Sequence, residues 1–208
     1  MARSFNGTAQ ITAASLATTN VVDWTIHALT IPATSQSTTA CLIVGNGTTG
    51  ASGYSFYITS SLALHLIYGA VNDYNTSTTL STSSWSALTA SNIAGTVNVY
   101  VNGSSVFNST SNTPNAPAGG FYIGAESSLS HPYVGDIAEV AAWNVGLTNA
   151  EIVSLSKGYS PALIRPASLM EYIPLLRDNV SLKKGAPTIS NATVSVHPKV
   201  YYPKRKAV

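Results

Sequence analysis

The sequence predicts an all-β protein, an antiparallel jelly-roll β-sandwich with one short late helix and an extended C-terminal arm. The first observation is a series of short β-like runs separated by clusters of glycine, asparagine, serine and proline. The second is the composition, because 51 of the 208 residues are serine or threonine and 9% are charged, while 45% are hydrophobic. A chain this apolar, with a small net charge, is expected to fold. The third is a single capped helix that follows the β-like runs, which favours a sandwich over an alternating α/β fold.

Nine runs before residue 144 have the residue types and the alternation of strands. They are "AQITAAS", "DWTIHALTI", "TACLIVG", "GYSFYIT", "LALHLIYG", "WSALTA", "TVNVYVNG", "GGFYIGA" and "DIAEVAAW". The run "TVNVYVNGSSVF" predicts a hairpin, because Val97, Val99 and Val101 share one face and Asn102-Gly103 is the dipeptide that a type I′ turn prefers. The run "GYSFYITSSLALHLIYG" predicts a second hairpin.

A single helix of about ten residues is predicted in "LTNAEIVSLSKGYSP", after the last of these runs. Thr148 and Glu151 have the spacing of a capping box, in which the Glu151 carboxylate reaches back to the Thr148 N–H. Ile152 and Leu155 form an apolar stripe, and Gly158 stands where a left-handed residue commonly ends a helix. A helix this short must dock on other elements to persist.

Signals for targeting, membranes and disulfides are sparse in this sequence. The residues after Met1 lack the apolar stretch of a signal peptide, so we expect the chain to be made and folded in a cytoplasm. No apolar run approaches the roughly 20 residues of a membrane span. Cys41 is the one cysteine, which excludes an intrachain disulfide and predicts a small buried side chain.

Charge is distributed unevenly along the chain. Residues 1–156 contain one basic and six acidic residues, and residues 157–208 contain nine basic and two acidic residues, giving formal charges of −5 and +7. This asymmetry predicts a sandwich over residues 1–160 and a basic, proline-rich arm over residues 161–208 that packs partly on the sandwich. The end of the arm is predicted to dock on a partner through Val200, Tyr201, Tyr202, Lys204, Arg205 and Lys206.

Several segments together carry a resemblance to a known family. The segments "RSFNGT", "VYVNGSSV", "FYIGA", "GDIAEVAAWNVGLTNAEI" and "LSKGYSP" resemble laminin G-like, concanavalin A-like jelly-roll domains. The version with a closing segment like "HPKVYYP" is similar to domains encoded by tailed bacteriophages. The resemblance implies two stacked antiparallel sheets, with the capped helix packed beside the sandwich.

The chain departs from this family at positions that bear on metal binding. Where many members have an aspartate after "FNGT", this chain has Ala9-Gln10, and where others carry Trp-His-His it has Trp85-Ser86-Ala87. Calcium sites need clustered oxygen ligands, usually with several carboxylates. The six acids before residue 157 are scattered in the sequence, so we predict no metal and no cofactor.

The acids and histidines do not predict a catalytic site. Asp136 and Glu139 lie three positions apart, and regular alternation in a strand would place them on opposite faces. Glycosidases place two carboxylates on either side of one bond, about 5–9 Å apart. His27 and His65 lie in strand-like runs, which favours half-buried structural roles. We therefore expect a protein that is not an enzyme.

One segment, "YGAVNDYNTST", has the residue types of a glycan-binding loop. Sugar sites combine an aromatic platform with a few polar groups. Tyr68, Asn72, Asp73, Tyr74 and Asn75 offer both. The competing and favoured interpretation is an ordinary turn, because asparagine, aspartate and glycine are common turn formers and tyrosine is common at the rim of a sandwich.

The function predicted first is a non-enzymatic virion structural protein, a capsid decoration (cement) protein docked by its C-terminal arm on the major capsid protein or another virion protein. Two alternatives stay open: a tail-fibre or receptor-binding adhesin module that recognises host carbohydrate, and a carbohydrate-binding module free of any virion. The expected location is the virion. A homo-oligomer stays open as well, no membrane is expected, and three closing charges are too few to predict nucleic acid as the partner.

Overall fold

The structure is a computed structural model that describes residues 2–13, 16, 23–36, 38–47, 52–68, 72–110, 117, 120–175 and 187–202. The strands are β1 (Ala2–Asn6), β2 (Gln10–Ala13), β3 (Trp24–Pro32), β4 (Cys41–Asn46), β5 (Tyr54–Ile58), β6 (Ala63–Tyr68), β7 (Asn72–Thr79), β8 (Ser86–Ile93), β9 (Thr96–Val101), β10 (Ser104–Thr110), β11 (Phe121–Ile123), β12 (Val134–Trp143), β13 (Leu169–Ile173), β14 (Thr188–Ser190) and β15 (Thr193–Ser195). Helix α1 spans Asn149–Ser156, and 3₁₀ helices span Ser127–Leu129 and Pro161–Leu163. None of the helices in the described ranges combines the length and the apolar composition needed to cross a bilayer.

The strands form two antiparallel sheets that are stacked as a sandwich. Sheet A has the order β10-β9-β8-β3-β12-β1-β15, and β13 also pairs with β12. Sheet B has the order β14-β2-β11-β4-β5-β6-β7. Each of the nine predicted runs contains part of one of these strands. The predicted all-β, jelly-roll sandwich with one short helix is therefore confirmed.

The main hydrophobic core lies between the two sheets. Trp24 of β3 stacks on Tyr54 of β5, with ring centroids 4.0 Å apart and an angle of 7° between the planes. Phe56 of sheet B and Val99 of sheet A belong to the same buried cluster, and so does Cys41, as predicted. Each large apolar side chain that is fully buried contributes about 1.5–3 kcal/mol to the hydrophobic stabilisation.

Both predicted hairpins are present in the structure. Strands β9 and β10 are joined by Asn102 and Gly103, whose φ angles of 52° and 80° are both positive, as a type I′ turn requires. Val97 and Val99 face the main core, while Tyr100 lies on the opposite side of sheet A. Strands β5 and β6 form the other hairpin.

Helix α1 begins at the predicted capping box and ends at the predicted glycine. The N–H and the hydroxyl of Thr148 both donate to Oε2 of Glu151, each at 2.8 Å, and Arg165 Nε donates to Oε1 at 2.5 Å. Although partial burial acts to raise the pKa of Glu151, the hydrogen bonds from Arg165 and Thr148 hold that pKa below its usual value. Gly158 has a φ of 85°, and its N–H donates to the Leu155 carbonyl at 2.9 Å.

The helix packs on the outer face of sheet A. Ile152 and Leu155 are buried in a second apolar cluster, which includes Tyr100 of β9 and Trp143 of β12. Trp143 Nε1 also donates to the Ile164 carbonyl at 2.9 Å. These contacts provide the docking that an eight-residue helix needs to persist.

The described residues after position 160 contribute three strands to the two sheets. Strand β13 pairs with β12, β15 pairs with β1, and β14 pairs with β2. Asn191 and Ala192 carry the chain from sheet B to sheet A, and Asn191 is left-handed with a φ of 57°. Residues 187–202 thus contain two short sheet strands, where the sequence predicted an extended arm that packs partly on the sandwich. The domain boundary at residue 160 stays a prediction.

The capping box gives the first test of the fold. Replacing both Thr148 and Glu151 by alanine removes the N-terminal cap of α1, and we expect the free energy of unfolding to fall by about 1–2 kcal/mol in urea titrations. Ser154→Ala is the control, because it removes a hydroxyl that donates to the Ala150 carbonyl inside the same helix. That variant should change stability by less than about 0.5 kcal/mol. Unchanged stability of the double variant would contradict the role of the cap.

Buried His27 gives a test through pH. Its Nδ1 lies 2.9 Å from Thr89 Oγ1, and burial lowers its pKa from 6.5 to about 3. As the pH falls, His27 is protonated in the unfolded chain before it is protonated in the folded protein. The free energy of unfolding therefore decreases as the pH drops from about 6.5 towards 3. His27 should account for a loss of about 3 kcal/mol between pH 7 and pH 4.

His27→Gln does not titrate and keeps a polar side chain near Thr89. The variant should lose less of its free energy of unfolding than the parent between pH 7 and pH 4, as measured by urea midpoints at both pH values. Equal losses in parent and variant would show that His27 is not the titrating group.

Candidate functional site

The outer face of sheet B carries polar and aromatic side chains across three neighbouring strands. Residues that alternate with the core-facing positions of β5, β6 and β7 point away from the core. Tyr57 pairs with His65 across β5 and β6, and Ile67 pairs with Asp73 across β6 and β7. A cavity of about 80 Å³ is lined by these four residues together with Thr39, Ala40, Ile58 and Thr59. We call the surface formed by Tyr57, His65, Ile67 and Asp73 the sheet B face.

A histidine–carboxylate pair is the most polar feature of the sheet B face. His65 Nδ1 lies 2.7 Å from Asp73 Oδ1, and this contact orients the imidazole ring. The Asp73 side chain is 59% exposed and that of His65 is 16% exposed. The carboxylate has two oxygens and several lone pairs, so it can accept further hydrogen bonds from a ligand. Both residues lie on paired strands, which hold their backbones in place.

A second carboxylate lies beneath the sheet B face. Glu126 is buried and accepts a hydrogen bond from the Tyr57 hydroxyl. The His131 ring stands edge-on to Tyr57 with centroids 5.6 Å apart, and its Nδ1 lies 3.6 Å from Glu126 Oε2. Ser128, Leu129 and His131 have φ angles of 58°, 58° and 52°. Such left-handed residues are costly and often occur at functional sites.

The predicted glycan loop is divided between the two faces of sheet B. Tyr68 is fully buried and receives a hydrogen bond from Asn92, so its predicted role as a sugar platform is wrong. Tyr68 belonged both to the predicted strand-like run "LALHLIYG" and to the predicted loop, and the structure places it at the end of β6 with its ring in the core.

The other residues of that loop lie on β7. Tyr74 packs against the core and its ring centroid is 5.0 Å from that of Phe107. Asp73 and Asn75 are exposed, and Asn75 Oδ1 accepts from the Ser77 N–H at 2.8 Å. The Asn72 side chain lies outside the described residues. Of the residues predicted for the glycan loop, Asp73 and Asn75 are therefore the described ones whose exposure allows contact with a ligand.

The predicted docking residues lie beside sheet A where the structure describes them. Val200 packs against the outer-face cluster of Ala2, Leu29, Ala87 and Ala138. Lys204, Arg205 and Lys206 lie outside the described residues. The partner-docking role of this set stays a prediction.

Two neighbouring tyrosines of the docking set make different contacts. Tyr201 is 50% exposed, and its backbone bonds Gly158 and Ser160 on both sides of Tyr159. The hydroxyl of Tyr202 donates to Glu139 Oε1 at 2.6 Å. Residues 201 and 202 thus anchor the C-terminal segment on the sandwich.

Glu139 is a buried carboxylate that the sequence pattern placed incorrectly. Regular alternation predicted that Asp136 and Glu139 point to opposite faces of one strand. Glu139 has a φ of 52°, and the pairing of β12 with β3 shifts register between Ala138 and Ala141. The irregularity is a β-bulge, so the alternation argument does not hold across it.

Three side chains from the C-terminal region surround the Glu139 carboxylate. Tyr172 and Tyr202 donate hydrogen bonds to it at 2.5 and 2.6 Å, and His197 Nε2 lies 3.0 Å from Oε1. We call these four residues the Glu139 cluster. Burial, reinforced by the negative charge of Glu139, raises the pKa of both tyrosine hydroxyls. The phenols therefore stay protonated and remain donors.

The described ranges contain no group of three or more histidine, cysteine, aspartate or glutamate side chains placed to hold a metal ion. Three histidine–carboxylate contacts in the described ranges, at Asp73, Glu126 and Glu139, each offer a pair of such groups. The absence of a metal and of a cofactor stays a prediction.

The fold and the matched sequence define the class of the protein. The model of the concanavalin A-like lectin/glucanases superfamily matches residues 5–153, and the chain belongs to this family. The resemblance noted in the sequence is confirmed at this level, while the resemblance to phage-encoded members stays a prediction. No curated protein sequence matches the chain.

Solved structures similar to this chain share the sandwich. A candidate carbohydrate-binding protein from Bacteroides ovatus has a TM-score of 0.75 and 20% identity, over 95% of this chain and 60% of that chain. The heptameric SAP-like pentraxin of Limulus polyphemus has a TM-score of 0.59 and 16% identity, over 90% and 93% of the two chains.

A third similar structure is domain 4 of an extracellular arabinanase from Geobacillus stearothermophilus, in complex with arabinotriose. It has a TM-score of 0.59 and 19% identity, over 74% of this chain and 76% of that chain. At these identities the likenesses establish the fold. The chain spans 60% of the length of the Bacteroides ovatus protein.

The Glu139 cluster is tested by removing one hydroxyl. Tyr202→Phe removes a hydrogen bond to a buried charge, and we expect local opening of the C-terminal segment to become easier by roughly 1–2 kcal/mol. The Ser160 N–H donates to the Tyr201 carbonyl, and the Tyr201 N–H donates to the Gly158 carbonyl. Both amide hydrogens should then exchange with solvent at least fivefold faster.

Tyr201→Phe is the matched control, because the Tyr201 hydroxyl has no hydrogen-bond partner among the described residues. Its amide exchange should equal that of the parent. The same exchange rates in both variants would mean that the contact with Glu139 does not hold the segment.

Proposed function

We propose that this chain is a non-catalytic carbohydrate-binding module of the concanavalin A-like superfamily and that it binds sugars on the sheet B face. The observation that carries this proposal is the His65–Asp73 pair, whose carboxylate is exposed, beside a cavity of about 80 Å³ on paired strands. The names of two structural relatives support the ligand class, one being a candidate carbohydrate-binding protein and the other a domain in complex with arabinotriose.

The chemistry of the sheet B face suits sugar hydroxyls. The Asp73 carboxylate accepts hydrogen bonds, and the second ring nitrogen of His65 is either a donor or an acceptor, depending on the tautomer. Ile67, which is partly exposed, supplies apolar surface for the carbon face of a sugar ring, while Tyr57 is buried and lines the cavity beside it. A few fixed polar groups around apolar surface are the usual composition of a small-molecule site.

The same geometry supports binding without hydrolysis. A glycosidase needs two carboxylates that reach the scissile bond from both sides. On this face Asp73 is exposed, whereas Glu126 is 5% exposed and is hydrogen-bonded by the Tyr57 hydroxyl. The buried carboxylate is therefore placed to hold Tyr57 in position, and Asp73 is the exposed carboxylate that remains for the ligand on the described part of this face.

The capsid-decoration function predicted first from sequence is the less supported of the alternatives. It relied on an arm that packs partly on its own sandwich and docks on a capsid protein with the rest. Of the predicted docking residues, Tyr202 bonds the chain's own Glu139 and Val200 packs on sheet A. None of the similar proteins named above is a capsid protein. A tail-fibre adhesin would use the same sugar-binding face and stays compatible with our proposal.

A glycan array tests the proposed function. The full chain should bind at least one class of neutral oligosaccharide. Asp73→Ala and His65→Ala should each weaken binding to the strongest neutral glycan at least tenfold, because a hydrogen bond with a charged partner is worth about 1.5–3 kcal/mol. Affinity is measured by titration calorimetry with that glycan.

Asp23→Ala is the control for the loss of one negative charge, because Asp23 lies beside β3 of sheet A and accepts from the Ala94 N–H. Its affinity for the glycan should match the parent within twofold. Absence of binding to every printed glycan, or equal loss in the control variant, would overturn the proposal.

A further inference from the structure

A second cavity lies outside sheet A, on the other side of the sandwich from the sheet B face. It has a volume of about 150 Å³ and is enclosed by sheet A, the end of α1 and the C-terminal segment. Leu29, Ala87 and Leu155 form an apolar floor, and Trp85 forms one wall. Lys157, Lys199 and Asn102 contribute the polar rim. We call this cavity the lysine pocket.

The wall formed by Pro198 and Lys199 depends on the docked C-terminal segment. A Cβ at Gly158 would lie 2.7 Å from the Lys199 carbonyl, so the close approach of the two segments requires glycine at this position. The Tyr201 N–H donates to the Gly158 carbonyl at 2.7 Å. The lysine pocket is therefore complete when the Glu139 cluster holds the segment in place.

The electrostatics of the lysine pocket favour an anion. Its lining contains two lysines and no acidic residue, and neither lysine forms an ion pair with a described residue. The nearby end of α1 carries about half a negative charge, which two ammonium groups exceed. Lys199 Nζ lies 5.5 Å from the centroid of the Tyr201 ring, a contact that keeps this amine near the surface.

The size and the apolar lining select among anions. A cavity of about 150 Å³ has room for no more than one six-membered ring, since an engineered cavity of that volume takes up a single benzene. A bare phosphate would leave Trp85 and the apolar floor without contacts, and a nucleotide is too large. A ring that carries one carboxylate uses the aromatic wall, the floor and both lysines.

We propose that the lysine pocket binds a carboxylated monosaccharide, a uronic acid residue, with its carboxylate between Lys157 and Lys199 and its ring against Trp85. The inference deepens the proposed function, because it rests on carbohydrate as the ligand and adds a site for an acidic sugar. It also gives a role to the unequal charge of the chain, whose first 156 residues carry −5 and whose remaining residues carry +7.

Tryptophan fluorescence offers a direct test on the full chain. Trp24 and Trp143 are fully buried and Trp85 is partly exposed, so a ligand in the lysine pocket should change the Trp85 signal. Methyl β-D-glucuronide should give a saturable change at low ionic strength, with an affinity at least tenfold higher than that of methyl β-D-glucoside. The change should be absent in Trp85→Phe, and titration calorimetry measures affinity independently of the signal.

Lysine variants connect the signal to the pocket. Lys157→Gln and Lys199→Gln should each weaken glucuronide binding at least fivefold, and Lys157→Arg should restore it to within threefold of the parent. Asp23→Ala is the control for the change of one charge outside the pocket lining, and it should leave glucuronide binding unchanged.

The outcomes separate this inference from the proposed function. If neutral glycans bind and Asp73→Ala weakens them, but the glucuronide does not bind, the lysine pocket proposal fails and the proposed function stands. Glucuronide binding that is insensitive to both lysine variants also overturns it. Equal affinity for the glucoside would contradict the role of the ligand's carboxylate. Full competition by inorganic phosphate at equal concentration would contradict the assignment of a sugar as the ligand.

Discussion

The structure depends on how β12 accommodates three partner strands. On one edge β12 pairs with β3, and on the other it pairs first with β1 and then with β13. The change of partner occurs around Glu139, whose left-handed φ of 52° forms a bulge and directs a carboxylate into a buried position. A buried charge is costly unless it is hydrogen-bonded. Tyr172 and Tyr202 meet that requirement from the C-terminal region, so the bulge joins the sandwich to the end of the described chain.

This arrangement gives the two outer faces of the sandwich different roles. The outer face of sheet A is covered by α1 and by the C-terminal segment, which pack on apolar residues such as Trp143 and Leu29. The outer face of sheet B presents the His65–Asp73 pair to solvent, with an Asp73 side chain that is 59% exposed. Ligand contacts on a paired sheet require little ordering on binding, which lowers the entropic cost of recognition.

Local sequence signals predicted the parts of the structure that local chemistry determines. The Asn102-Gly103 turn and the Thr148–Glu151 cap each need only a few neighbouring residues. Tyr68 lies near the end of the predicted run "LALHLIYG", in which it alternates with Leu64 and Leu66, so the sequence contained the signal that places it in the core. The "NDYNTST" segment has turn-forming residues although it forms strand β7. Tertiary pairing with β6 overrides that propensity. The Glu139 bulge and its tyrosines, more than 30 residues away, have no local signature, so alternation misplaced the carboxylate. Asp73 and Asn75 are exposed in the structure, as either a loop or a strand would allow, and their role in ligand binding stays a prediction.

Mapping the bound glycan on the protein tests the central claim most directly. The full chain, labelled with ¹⁵N, is titrated with the neutral oligosaccharide that binds most strongly on the array, and amide chemical shifts are followed. The account predicts that the largest shifts occur on β5, β6 and β7, centred on Tyr57, His65 and Asp73, while the indole signal of Trp85 stays unchanged. Largest shifts on sheet A, with unchanged signals on these three strands, would contradict it.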